Sequence, residues 1–292
     1  MSFVIIADSA SNLNLELSKK FNIEIISFHY SYDGNEYVCY SPDFCYEEEA
    51  KKYYKLLREG KLIKTSLVSI QDYYNFFEKF LKEGKDILSV SISANISGTL
   101  NSSNNARELL LEKYPERKIV CLDSYNASFG EALVAIMASK ARDKGLTLEQ
   151  TVDLVSPLRM NIRSEFVVDK LTYLARGGRI SPLIASIGNL LDIKPLLRAS
   201  NDAKIETYGK VRGRKKSIIR LAETIRDNIV DPELQTLYIA HCDAEEEAKY
   251  LADLIKNYVP TLHEIYIHQY DLCTGAHVGP NTLAAFYYGK TR

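Results

Sequence analysis

Apolar and polar positions come in alternating blocks along this 292-residue chain. Phe3–Ala7 is a short apolar run. The polar turn Asp8-Ser9-Ala10-Ser11-Asn12 follows, and then Leu13, Leu17 and Phe21 recur near helical spacing. Ile23–Tyr30 reads as one further strand, and Asp33-Gly34 predicts a hairpin turn ahead of Tyr37–Tyr40. Tyr46–Glu59 has the pattern of a charged surface helix that stops at Gly60. Lys64-Thr65-Ser66-Leu67-Val68 reads as a polar break. Ser69-Ile-Gln-Asp72 resembles a capping box that opens an aromatic-rich helix to Leu81. The run Ile87-Leu-Ser-Val-Ser-Ile predicts a buried strand. A hydroxyl-rich turn with Ser93, Ser97, Gly98 and Thr99 comes next, then a helix carrying Ala106, Leu109, Leu110 and Tyr114. Lys118–Leu122 is another strand, ending in Asp123-Ser124 before a helix at about Glu131–Ala141. Strands and helices that alternate to about residue 160 predict a parallel α/β sheet, Rossmann-like and three-layered.

The second half has a different grain. Leu171–Ser181 predicts a short helix broken by Gly177-Gly178, and an apolar stretch, Ile184–Leu191, follows it. Strand candidates Leu196–Ala199 and Lys204–Tyr208 flank the turn signal Asn201-Asp202. A basic segment over 210–216 then precedes the amphipathic Ser217–Ile229. Leu237–Cys242, a helix from Glu245 to Tyr258, and His263–Tyr270 form a further α/β portion. The chain closes with Gly275-Ala-His277-Val-Gly279-Pro280-Asn281 and Ala284–Tyr288. The expected organisation is two α/β domains, 1–160 and 161–292, the second with a mixed or antiparallel sheet.

Composition narrows the function classes. Hydrophobic residues make up 46% and charged residues 26%, and the formal net charge is −1. That balance is an ordinary globular one and points to neither nucleic acid nor an acidic membrane surface. The five cysteines are widely spaced without a CxxC pair, which favours free thiols in a reducing cytosol over a zinc site or a redox motif. The start lacks a basic n-region and reads as a strand, not a signal peptide, and no apolar run approaches the length of a membrane span.

Candidate chemistry gathers at the polar turns. A strand, a small hydroxyl-rich turn and a helix start make an anion site, because unpaired N–H groups and the helix dipole favour negative charge. The same residues at Ser93–Thr99 serve equally as an ordinary helix cap. Polar turns after three strands, at Asp8-Ser9, Ser93–Thr99 and Asp123-Ser124, would meet at the carboxyl edge of a parallel sheet, where such folds bind ligands. Asp8 and Asp123 are candidates to brace these loops through backbone N–H groups. As metal ligands they lack a defined third partner. Ser97, His277 and Asp123 also make a candidate hydrolase triad, although no G-x-S-x-G elbow is present.

Taken together, Asp8-Ser9, Thr65-Ser66, Ser97-Gly98-Thr99, Asp123-Ser124, Leu174-Ala-Arg-Gly177-Gly178-Arg179-Ile180, Ile193-Lys194-Pro195, Gly209-Lys-Val-Arg212 and His277-Val-Gly279-Pro280 occur in the order seen in the DegV family. The chain resembles that family over nearly its whole length. The family includes the fatty-acid-binding (FakB-like) subunits of bacterial fatty acid kinase. The resemblance implies a cytoplasmic, two-domain lipid carrier with one long-chain fatty acid inside and its carboxylate near the domain junction. It implies no cofactor besides that ligand, no metal and no catalytic residue. Thr65, Ser66, Ser97, Gly98 and His277 would surround the carboxylate, and Ser9 and Ser124 would share the bracing of the loops with Asp8 and Asp123. Arg179 and Arg212 would face a separate ATP-using kinase subunit that makes the acyl phosphate. Neither nucleic acid nor a membrane span belongs to this picture. Two departures stand out. The family's glycine pair after the Asp-Ser turn is reduced to Ser128-Phe-Gly130-Glu131, and its glycine after Gly-Pro is Asn281 here.

Overall fold

A computed structural model of the chain describes residues 3–43, 45–181 and 193–292. It divides into two compact units, Met1–Phe44 with Lys64–Arg159, and Cys45–Ile63 with Met160–Arg292. The single cut expected near 160 therefore misses an excursion. The segment 45–63, although early in sequence, packs within the second unit.

The first unit is built on a four-stranded parallel sheet, β2 (Ile23–Ile26), β1 (Phe3–Asp8), β6 (Asp86–Ser91) and β7 (Ile119–Asp123), in that order. Every residue of β1 and β6 is buried, as strands covered on both faces require. Two sets of helices cover them. One pairs α3 (Ile70–Lys82) with α4 (Thr99–Lys113), and the other joins α5 (Phe129–Asp143) to α1 (Leu15–Phe21) and α6 (Leu148–Leu158). The capping box at Ser69 and Asp72 opens α3 as its sequence predicts, with Ser69 Oγ accepting from the Asp72 N–H at 3.1 Å. A second capping box, Thr147 with Gln150, opens α6, a helix that the hydrophobic pattern did not announce.

The expected strand Ile23–Tyr30 is two strands in two sheets. After β2 the chain bends at Ser27-Phe28 and re-enters as β3 (His29–Tyr32), the centre of a small antiparallel sheet with β4 (Asn35–Val38) and β5 (Lys64–Ser66). Side chains take the backbone groups at the bend. Phe28 N–H donates to Ser9 Oγ at 2.9 Å, and Tyr40 N–H donates to Ser27 Oγ at 2.9 Å. Asp33-Gly34 makes the hairpin turn with φ of 49° and 81°. The expected polar break at 64–68 is in part a strand, because Thr65 pairs with Tyr30 and Ser66 with His29.

The second unit carries a six-stranded mixed sheet in the order β10 (Ile205–Arg212), β9 (Ile193–Ala199), β8 (Ile162–Val167), β13 (Leu283–Tyr288), β11 (Thr236–His241) and β12 (Glu264–Gln269). Among the described residues of this sheet, only β11 and β12 pair in parallel. Helices α8 (Arg214–Asn228) and α9 (Glu245–Tyr258) cover it through Leu221, Ile225, Leu251 and Ile255, all fully buried against Leu237 and Ile239. The basic segment 210–216 is split, ending β10 at Arg212 and starting α8 after Gly213, whose φ is 93°. Helix α2 (Tyr46–Arg58) was expected to be a surface helix, yet it buries Ala50, Tyr53, Tyr54 and Leu57, one stripe at i, i+3, i+4 and i+7. The expected apolar stretch Ile184–Leu191 lies outside the described residues.

An ion pair is buried in this sheet. Arg163 Nη2 lies 2.7 Å from Glu165 Oε1, and Tyr287 donates to Glu165 Oε2 at 2.5 Å. Glu165 is 0% and Arg163 5% exposed. Removing one partner strands the other charge in the interior. Glu165→Ala is expected to cost about 3–5 kcal/mol, read as a lower denaturant midpoint by circular dichroism.

Candidate functional site

In the parallel sheet the carboxyl ends of β1, β6 and β7 lie side by side, so the three polar turns after them are neighbours. They are laced together. Asp8 Oδ1 accepts from Ala10 N–H and Oδ2 from Ile92 N–H, both at 3.0 Å. Asp123 accepts from Tyr125 N–H at 2.8 Å and from Ala94 N–H at 3.3 Å. Ser93 N–H donates to Asn126 O, Ser124 N–H to Ser91 O, and Ser128 N–H to Ala10 O. Ser124 Oγ accepts from Asn126 N–H at 3.1 Å. Burial pushes the Asp8 carboxyl up to about 7, against the lowering effect of the two N–H donors and of the neighbouring Glu131 side chain. Burial also raises Asp123, opposed by its backbone donors and then by Arg159.

This lacing holds the turn 93–99 and delivers the start of α4. Ser97 N–H donates to Ser93 O, and Ser97 Oγ sits 2.8 Å from Thr99 Oγ1 and accepts from Thr99 N–H at 3.3 Å. The Gly98 and Leu100 N–H groups have no acceptor among the described residues. Two free amides, two hydroxyls and the positive end of a 15-residue helix form an anion-ready surface. A Cβ at Gly98 would meet Leu67 Cδ2 at 3.2 Å, so the segment after β5 lies against this helix start. Thr65 is half-buried and Ser66 exposed on β5. Thr65, Ser66, Ser97 and Gly98 thus belong to one unit, and the structure brings their two segments together.

His277 belongs to the second unit. It lies in the last turn of α10 (Leu272–Val278). Asp271 caps that helix, accepting from Thr274 N–H at 2.6 Å. Burial, and secondarily the charge of Arg179, lower His277 to about 4, so its imidazole is neutral at pH 7. Arg179 donates to the Gly177 carbonyl, whereas Arg212 ends β10 with its side chain exposed.

The two departures from the family pattern have local explanations. Asn281 takes φ of 61°, a left-handed conformation that asparagine tolerates in a glycine's place. Ser128 holds φ of 54° and ψ of −144°, a conformation that favours glycine, tied down by its N–H bond to Ala10 O.

Among the described residues no group of three or more His, Cys, Asp or Glu side chains is placed to hold a metal ion. No described helix is long and apolar enough to cross a membrane. A surface groove of about 440 Å³ in the second unit is lined by Asp169, Asp243, Glu245, Glu246 and Glu247, and its Arg214 is already paired with Glu247 at 2.7 Å. That charge balance repels a carboxylate.

The chain is an α/β protein whose first unit laces together the loops at its strand ends and, among the described residues, leaves the start of α4 open. The model of the family described as "Uncharacterised protein, DegV family" matches residues 2–290, and the chain belongs to that family. A DegV domain-containing protein of Clostridium perfringens is 36% identical over 290 residues, covering 99% of this chain and 98% of that one. Among solved structures, a fatty acid binding DegV family protein from Streptococcus agalactiae superposes with a TM-score of 0.83 at 26% identity, over 98% of both chains. A Thermotoga maritima protein whose structure is described as revealing a fatty acid binding function gives a TM-score of 0.80 at 26% identity, again over 98% of both.

Sequence reasoning missed the surroundings of His277. Gly177, Gly275 and Gly279 each accept a ring where a side chain would collide. The spacing Gly-x-His-x-Gly was the available signal.

Three histidines of the second unit, His241, His268 and His277, are each lowered to about 4, burial being the largest cause. The unfolded chain takes up these protons near the ordinary value of 6.5, well before the folded one. Their contribution to stability is therefore full above pH 6.5 and lost progressively as pH falls toward 4. The urea midpoint is expected to fall across this window, and His268→Gln should flatten the decline. Asp8, raised to about 7, works in the opposite sense over the same window, so the comparison between variants decides: a decline as steep in His268→Gln as in the parent would contradict the assignment.

Proposed function

We propose that this chain binds one long-chain fatty acid and presents its carboxylate to a separate ATP-dependent kinase subunit for acyl-phosphate formation. The observation that carries the first half is the open start of α4, where the Gly98 and Leu100 amides, beside Ser97 and Thr99, have no acceptor among the described residues. It occurs in a family whose solved members include fatty acid binders. Thr65, Ser66, Ser97, the Gly98 N–H and His277 are the proposed carboxylate partners.

The chemistry suits a carrier. Burying an acyl tail gains about 0.8 kcal/mol per methylene, offset by association and ordering costs. A buried carboxylate without hydrogen-bond donors would forfeit much of that gain. Hydroxyls, amides and a neutral imidazole bond the headgroup without a fixed positive charge, so they hold it and still leave it open to phosphorylation. Asp123 spends both oxygens on backbone N–H groups and Ser97 Oγ lies against Thr99, which supports bracing and binding roles over a hydrolase triad.

The kinase half rests on the family resemblance and on the exposed basic residues Lys210, Arg212, Lys215 and Lys216. Arg212 is the cleaner probe of docking. Arg179 bonds the Gly177 carbonyl and bears electrostatically on His277, so its replacement disturbs the proposed headgroup site as well.

Ser97→Ala, Thr65→Ala and His277→Ala are each expected to lose about 1.5–3 kcal/mol of fatty-acid affinity, roughly ten- to hundredfold, with the circular dichroism spectrum unchanged. Titration with oleate measures this, and unchanged affinity in all three places the headgroup elsewhere. Arg212→Ala should load normally yet be phosphorylated more slowly by the kinase subunit, with the deficit shrinking as salt rises. Equal acyl-phosphate formation at every kinase concentration would make Arg212 an ordinary solvated residue.

A further inference from the structure

The second unit uses missing side chains as receptors. A Cβ built on Gly177 would lie 2.4 Å from His277 Nδ1 and 3.2 Å from its Cε1. One on Gly275 would lie 2.2 Å from the Tyr54 hydroxyl, and one on Gly279 would lie 2.3 Å from Tyr173 Cδ2. Each nearest distance is shorter than side chains tolerate, so each glycine is occupied by its neighbour's ring. Gly279 also has φ of 81°, which favours glycine independently.

The contacts are reciprocal. Helix α7 (Thr172–Arg176) sends Tyr173 into the space at Gly279, and Gly177, its C-cap, receives His277 from α10. Residues 173 and 177 are four apart, so on a helical turn they share one face. The two helices therefore exchange a ring for a gap in both directions. Helix α2 secures the other end. Tyr46 and Tyr54 both donate to the Tyr270 carbonyl, at 3.0 and 3.2 Å, immediately before the Asp271 cap of α10. Tyr173 donates to Leu57 O at 3.3 Å, and Arg58 donates to Asn281 Oδ1 at 3.1 Å just beyond α10. A seven-residue helix is marginal alone and takes its position from such packing.

We propose that Gly177 is a positioning residue for ligand binding: its lack of a side chain makes the slot that sets the orientation of the His277 imidazole, and hence the ring edge that His277 offers to a ligand carboxylate. Gly275 and Gly279 act one step further out, by seating Tyr54 and Tyr173 and so fixing the helix that carries His277. The inference rests on the reading of His277 as a carboxylate partner. Arg179 reinforces the arrangement by bonding the Gly177 carbonyl, on the same residue that receives the ring.

The test is a double-mutant cycle in the full chain with Gly177→Ala, His277→Ala and the pair, read by urea unfolding and by oleate titration. The added methyl collides with the imidazole, so Gly177→Ala should lower the urea midpoint when His277 is present and leave it unchanged in the His277→Ala background. Should Gly177→Ala alone fail to fold, recovery of folding in the double variant supports the coupling, and failure of both overturns it. Oleate affinity should drop about tenfold or more in Gly177→Ala, as in His277→Ala, with little further loss in the pair. Equal destabilisation in both backgrounds means that Gly177 is not placed by His277 and the inference fails. If stability is coupled and His277→Ala binds weakly, but Gly177→Ala binds like the parent, the positioning role alone fails. If His277→Ala itself binds like the parent, the headgroup reading fails and takes this inference with it.

Discussion

The buried carboxyl of Asp8 is the constraint on which the first unit's loops depend. It stands at the end of β1 with no exposure to solvent and spends its two oxygens on N–H groups from two turns, Ala10 in its own and Ile92 in the next. Asp123 repeats the device from β7, reaching Ala94 from the other side. The turn 93–99 is thus pinned by a carboxyl on each flank. Backbone amides that would otherwise need water are satisfied up to residue 97, and the ones left over belong to the start of α4. The proposed anion site offers backbone amides and hydroxyls, and the turn 93–99 carries no cationic side chain. Its donors are preorganised by the sheet, so little ordering entropy remains to oppose ligand binding.

The second unit solves a different problem. It seats one histidine, His277, on a helix of only seven residues. Glycines at 177, 275 and 279 let rings approach to distances that any side chain would forbid, and α2 spans the result with hydrogen bonds near both ends of α10. This accounts for the excursion of residues 45–63 into a unit made otherwise of the chain's later half. It also accounts for a helix rich in charge that nonetheless buries two tyrosines completely: their rings fill space, and the Tyr54 hydroxyl finds a carbonyl.

Much of this was legible in the sequence where a local rule decides the structure. The parallel sheet followed from apolar runs ended by polar turns, the α3 start from Ser69 and Asp72, and the hairpin from Asp33-Gly34. The misses lie where tertiary partners decide. Ile23–Tyr30 is continuous in hydrophobicity, and partners distant in sequence, Ser9 bonding Phe28 and Tyr40 bonding Ser27, mark where it divides between two sheets. Lys64–Ser66 has no strand pattern of its own and becomes a strand because β3 offers an open edge. Strand β8 carries Arg163 and Glu165, whose charges disguise a buried strand until each is seen to neutralise the other. Two glycines in five residues around His277 argue against a helix, and what overrides that propensity is the ring that fills each gap. In the candidate site, Ser97 and Gly98 were visible as a strand–turn–helix pattern. The roles proposed for Thr65 and His277 rest on family resemblance, since neither sits in a local pattern that names its chemistry.

The central claim is that the chain is a fatty-acid carrier, and native mass spectrometry of the purified protein tests it most directly. The account predicts a complex heavier than the polypeptide by the mass of one long-chain fatty acid, released intact on denaturation and restored when stripped protein is incubated with a mixture of such acids. Apoprotein alone, before and after that incubation, would contradict it.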